Sequence, residues 1–327
     1  MLINRLYELL GGLLPVRKIN HLAKRRAPSV GALERLEDRL VLTVDVWTGA
    51  SSNLWSDNGN WADNSAPTAG EDLIFPENAT NKVAVYDSAL GVSSFGSIDI
   101  QGSGYDISTS FSSSLTLTNG LSATYSTLSS SFDIGFNLGN GQVSVATGAT
   151  LQVDGVITGS SGLAVTGGGT FTTSGTSSNT YTGTTTVDTG TKLVLDKSGA
   201  TAIPGGLTIN ATGTVQLVQS NQITDASAVT LGEGANLNLN NFDDAVGLLT
   251  MTGATIATGT GTLTLGGNVT TNSSSITSLI SGNLDLGGAT RSFTVANNSN
   301  LDPDLSITAN ISGTGAGLTK LGANSQL

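Results

Sequence analysis

Past Leu40 the chain has five cations, Lys82, Lys192, Lys197, Arg291 and Lys320, set far apart in sequence. Cleaving a uronic-acid polymer by β-elimination would need one of them as base, beside carboxylates that hold calcium. Glycoside hydrolysis would need two or three carboxylates brought together from neighbouring segments. Past residue 82 the only adjacent acidic pair is Asp243-Asp244. Neighbours in a strand face opposite ways, so this pair reads as a solvated turn. The single histidine, His21, lies in the basic N-terminal stretch, and there is no cysteine. Imidazole and thiolate chemistry are therefore absent from the body. Asp302-Pro303-Asp304 and Asp243-Asp244 offer hard oxygen ligands, but calcium wants six to eight in one place. The sequence assigns no catalytic residue, no metal site and no cofactor.

Two surfaces could bind without catalysing. Trp47, Trp55 and Trp61, spaced by eight and six with Asn, Asp and Gly between, could stack on sugar rings. They could equally seal the end of a stack of strands, where the first layer has no neighbour to bury it, and that second use is favoured. Threonines in T-x-T elements could, if regularly ranked on a flat face, order water against ice. The elements Thr116-Leu117-Thr118, Thr184-Thr185-Thr186 and Thr262-Leu263-Thr264 are widely and unequally spaced. No fixed period links those intervals, so no continuous rank is expected.

The elements that would position these groups are short strands. Leu115-Thr116-Leu117, Val229-Thr230-Leu231, Leu237-Asn238-Leu239, Leu263-Thr264-Leu265, Leu284-Asp285-Leu286, Phe293-Thr294-Val295 and Leu305-Ser306-Ile307 alternate apolar and polar residues. Period-two alternation puts the apolar pair on one face. Leu263, Leu284 and Leu305 recur every 21 residues, a reasonable length for a coil of about three strands. Gly is 43 of 327 residues, and charged residues are only 11 %. Both suit tight turns between uncharged, hydroxyl-rich strands. The expected fold is all-β: a right-handed parallel β-helix (β-solenoid) over residues 83–327, with a Trp-rich N-terminal cap over 44–82 and a short helical leader over 1–43.

The leader is basic, whereas the remainder holds five basic and twenty acidic residues, a net of −15. A body so acidic repels phosphate backbones, which excludes nucleic acid as a partner. Within the leader, apolar residues from Leu2 to Leu14 precede Lys24-Arg25-Arg26, the reverse of a secretory signal. The apolar run is too short and interrupted to cross a membrane. Leu33-Glu34-Arg35-Leu36-Glu37-Asp38-Arg39 resembles the L-E-x-L-E-D-R motif of large exported planctomycete proteins, which implies export.

Residues 157–195 and 311–327 are related, aligning Ile157/Ile311, Gly162/Gly317, Leu163/Leu318 and Gly167/Gly322. The first copy, with Gly162, Leu163, Gly167, Asn179, Tyr181, Gly183, Val187 and Gly190, resembles the autotransporter-associated β-strand repeat. The second carries Gly317, Leu318, Lys320 and Gly322, where Lys320 supplies the motif's lysine and the first copy has Val165. It reaches Leu327 part-way through the motif, so the chain is read as stopping inside a repeat. The Trp-rich segment resembles the opening of autotransporter-type passengers. These resemblances imply a secreted or surface-displayed stalk of structural and adhesive role, meeting extracellular polysaccharide or envelope components. The rival expectation is a β-helix polysaccharide lyase or hydrolase, or a carbohydrate-binding module centred on the three tryptophans.

Overall fold

A computed structural model describes residues 43–125, 129–298 and 301–327. The leader expected over 1–43 lies outside the described residues except for Thr43. The rest is a β-solenoid built of two parallel sheets of 15 and 13 strands. Every strand pair in them is parallel, so each rung is reached by a full turn of chain. The only helical segments among the described residues are two single 3-10 turns, Asn58–Asn60 and Ser88–Leu90.

Alternation does what the sequence requires of it. In Leu163–Thr166, Lys192–Lys197, Thr214–Leu217 and Val269–Thr271, alternate residues are buried. Their inward members form one continuous core from Trp47 to Leu305. Register sets the length of each coil. Leu163 pairs Thr185, which pairs Leu207, which pairs Val229, in three equal steps; the next two steps, to Leu249 and Val269, are slightly shorter.

The 21-residue interval holds from Leu263 to Leu284 but fails at the next step. Leu284 pairs Ile311, and Leu305 stacks instead on Ser278. The chain between the strands ending at Val295 and starting at Leu305 lengthens that coil. Three strands per coil occur where a long strand bends and pairs twice, as Thr255–Leu265 does with Asn236–Asn238 and Asp244–Val246. Elsewhere this third run of the coil shrinks to a single bridge, as from Ile203 to Ile223.

Candidate functional site

Four strands of the second sheet, Ser129–Phe132, Thr150–Val153, Thr170–Gly175 and Lys192–Lys197, stack in register. Phe132, Val153, Thr173 and Leu195 are therefore one column, and the residues after them, Asp133, Asp154, Ser174 and Asp196, form the next. Backbone bonds from Asp133 N to Ile107 O (2.8 Å) and from Asp154 N to Phe132 O (3.1 Å) hold that column at the corner. Two carboxylates one coil apart in sequence are thus neighbours in space.

The pair divides its charge. Burial pushes the Asp133 carboxyl up to about 6, helped by its hydrogen bond with Asp154 and by the charges of Asp154 and Asp106. Burial also acts to raise Asp154, but hydrogen bonds from Ser174, Asp133 and Gln152, with the Lys197 charge, hold it below the usual carboxylate range. Ser174 Oγ donates to Asp154 Oδ1, and Gln152 Nε2 donates to the same oxygen at 2.9 Å. A protonated acid beside a carboxylate is the raw material of acid–base catalysis. The spacing counts against that use. Carboxyl groups in direct hydrogen-bond contact are closer than the roughly 5 Å of a retaining glycosidase or the wider gap of an inverting one.

Lys197 lies in the neighbouring column, over Gly175 and Gly155, and is fully buried. Its Nζ donates to Ser174 O at 2.5 Å and, two coils back, to Gly155 O at 3.2 Å. Burial pulls its amine down to about 8, against the attraction of Asp154. An open groove of about 510 Å³, walled by the Thr109–Ser114 segment with Gly135, Val156 and Thr158, starts two residues beyond each aspartate. Neither aspartate lines it. Among the described residues no three His, Asp or Glu side chains converge as a metal site would require.

Trp47, Trp55 and Trp61 are at most 1 % exposed. No indole face is open to a sugar, so the sugar-stacking reading of these residues is withdrawn. The rings pack edge-to-face, Trp47 on Trp61 at 5.2 Å and Trp55 on Trp61 at 6.2 Å, and Trp55 also meets Phe75, Tyr86 and Phe95. Trp47 Nε1 donates to Asn81 O and Trp61 Nε1 to Trp55 O, which anchors two of the three.

The repeat-motif residues are all structural in placement. Leu163 and Val187 enter the core, and Gly162 and Gly183 lie where neighbouring coils approach too closely for a Cβ. Asn179 is buried and accepts from Ile157 N while donating to Ala202 O and Thr173 Oγ1. Tyr181 shares a hydrogen bond with Thr185 Oγ1 at 2.5 Å. Gly167 and Gly322 adopt the same left-handed corner, φ 98° and 106°, where a Cβ would strike Val145 O or Val295 O. Gly190 turns at φ 69°. Gly317 and the partly buried Leu318 open the last strand. Lys320, at the inward register over Phe293, bonds Gly322 O and Ser325 O.

Asp243-Asp244 is not a solvated turn. Asp244 is 2 % exposed and accepts from Gln222 N, Ile223 N and Ala245 N. Burial pushes it up to about 7 despite those bonds. Asp304 similarly accepts from Asn298 N and Gln326 N. Where the third run has no continuous ladder, side chains stand in for it. Asn179, Gln222 and Asp244 accept amides that a neighbouring strand would otherwise satisfy. The interval from Asp133 to Asp154, equal to that from Leu263 to Leu284, is the one sequence signal for the acid pair. Alternation with Leu193 and Leu195 places Lys197 on the inward face, whereas nothing in local sequence marks Gln222 as buried.

Comparison with protein-family models, with curated proteins and with solved structures finds no match.

Proposed function

We propose that this chain is a non-enzymatic structural and adhesive stalk, secreted or displayed at the cell surface. The observation that carries the reading is the unbroken parallel stacking of described coils on a single core. Each coil is buried by its neighbours, so rigidity accumulates with every turn. The outer faces, rich in Ser, Thr and Asn and poor in charge, suit many weak contacts with extracellular polysaccharide or envelope components. The resemblance to autotransporter-associated repeats and to the planctomycete export motif supports the same placement. Antibody raised against residues 43–327 should label intact producing cells or their medium, and deleting the gene should reduce attachment. Labelling only after permeabilisation would overturn the surface placement.

A polysaccharide-cleaving enzyme is the second reading, and the acid pair Asp133/Asp154 is where its chemistry would have to lie. Reducing-end and unsaturated-uronate assays over a panel of glycans should show no turnover. Turnover by the wild type that Asp133→Asn abolishes would replace the stalk with the enzyme.

A further inference from the structure

The first sheet carries a rank that the sequence spacing hides. Thr186 pairs Thr208, which pairs Thr230, then Thr250, Thr270 and Thr294, one threonine on each of six successive coils. Each lies between two buried residues and is itself half-exposed or exposed, so all six face away from the core. The sequence steps between them are unequal, yet no bulge interrupts the register. The slack is taken up at the corners between strands, as from Thr271 to Ser278, where the coil before runs only from Met251 to Thr255. The T-x-T elements noted in the sequence are not what forms this line; only Thr186 belongs to both.

Strand preference for threonine does not account for it. The corresponding outward column of the second sheet runs Thr172, Val194, Gln216, Asn238, Ala257 and Ser281, although strand propensity acts on both sheets alike. Elsewhere threonine hydroxyls turn back to carbonyls, as at Thr118, Thr182 and Thr224. Among the described residues none of the six ranked hydroxyls has a partner in the protein. Two positions to either side of each, the only charge is Asp188, and there is no aromatic ring.

We propose that this threonine rank is an ice-binding face. Stacked strands repeat every 4.7–4.9 Å or so, close to the repeat of hexagonal ice along its a axis. β-Branched side chains on a paired sheet are already fixed in rotamer, so little entropy is lost on contact. Each presents a methyl and an uncommitted hydroxyl to the water lattice. A second copy is a poor occupant because each chain carries a net charge of −11 and repels the other. Sugar chains would call for the ring faces that the rank lacks. The inference does not depend on the stalk reading.

The test is partition of the full chain into a slowly growing ice hemisphere, with thermal hysteresis measured on the same sample. Wild type should enter the ice and shape its crystals. Thr208→Lys/Thr250→Lys should lose both activities at unchanged far-UV circular dichroism, while Gln216→Lys on the other sheet should keep them. Thr208→Ser/Thr250→Ser, which removes only methyls, gives a second arm should the lysine pair fail to fold, and should weaken entry. Exclusion of folded wild type from ice overturns the proposal, as does a lysine or serine pair that enters like wild type. Exclusion from ice with retention on crystalline cellulose or chitin overturns it in favour of a polysaccharide face.

Discussion

The first coils and the middle coils solve different problems with the same strand. From Val44 to Phe111 the core holds all three tryptophans with Phe75, Tyr86, Phe95 and Tyr105. From Leu163 to Met251 the buried rings are Phe171 and Tyr181, and the rest of the core is mainly aliphatic. Coil length follows the same division: the first coil, from Val44 to Asp72, is longer than a middle one such as Leu207 to Val229. A middle coil has a neighbour on each side, so Val, Leu and Ile in register suffice. Among the described residues the first coil has one, and it folds its own chain across its outer face. Trp47 bridges Trp61 antiparallel, and Asn60 accepts from Ser51 N and Ser52 N to hold that fold-over. Propagation rewards sameness, whereas closure needs volume and a break in the pattern.

The largest effect that could break this comparison comes from removing a ring. Trp55→Ala should cost about 3–5 kcal/mol, against about 2–5 kcal/mol for Leu193→Ala in the middle. The sites should differ more in reach than in size. If stability is summed between neighbouring coils, hydrogen exchange in Trp55→Ala should rise over 43–111 while 163–251 stays protected. Uniform exchange across both regions would mean one cooperative unit, and the cap would lose its separate standing.

Next come the titrations, which occur in both regions. Burial raises Asp45 to about 7, aided by Asp63 and Glu71, and burial raises Asp244 to about 7. Each folded-state value exceeds the unfolded one, so between about pH 4 and 7 the native state binds the extra proton. Their contributions are therefore present at low pH and lost as pH rises toward 7. Lys197, pulled down to about 8, runs the other way. Its unfolded form holds the proton longer, so its contribution to stability grows from about pH 8 to 10.5. Denaturant midpoints against pH should show a shallow minimum near neutrality. Asp244→Asn should flatten the acid limb and Lys197→Met the alkaline one; an unchanged profile in either variant would refute that assignment.

Smaller again is the loss of one stand-in side chain. Gln222→Leu keeps the volume but leaves Lys197 N without its acceptor, costing about 1–3 kcal/mol by urea titration. A neutral result would show that the corner relaxes to satisfy its amides.

Alternation made the strands legible, and low charge with frequent glycine made the solenoid legible. The coil register did not follow from them. A fixed interval drawn from Leu263, Leu284 and Leu305 misplaces Leu305, because coils change length through their corners. Asp244 pairs Leu263 across a short coil, whereas Leu284 pairs Ile311 across a long one. That variation also hid the threonine rank. Asp244 defeats a local reading for a related reason. Acidic neighbours in an Asn-rich stretch look solvated until three backbone amides from a corner are placed around one of them. Burial at corners is set by what the next coil lacks, which no local window contains.

The smallest effect concerns the turns, and it separates conformation from crowding. Gly49 in the first coil and Gly190 in a middle coil both turn left-handed, at φ 58° and 69°. A Cβ at Gly49 would come within 2.5 Å of Asn81 O, whereas around Gly190 there is nothing within 4 Å. Gly190→Ala should then cost only the backbone preference, about 1 kcal/mol, and Gly190→Asn less still. Gly49→Ala must in addition move the chain that carries the Trp47 anchor at Asn81, so it should cost more and expose the first coil to exchange. Equal losses at the two positions would mean that the first coil yields as easily as an open corner, which its packed rings argue against.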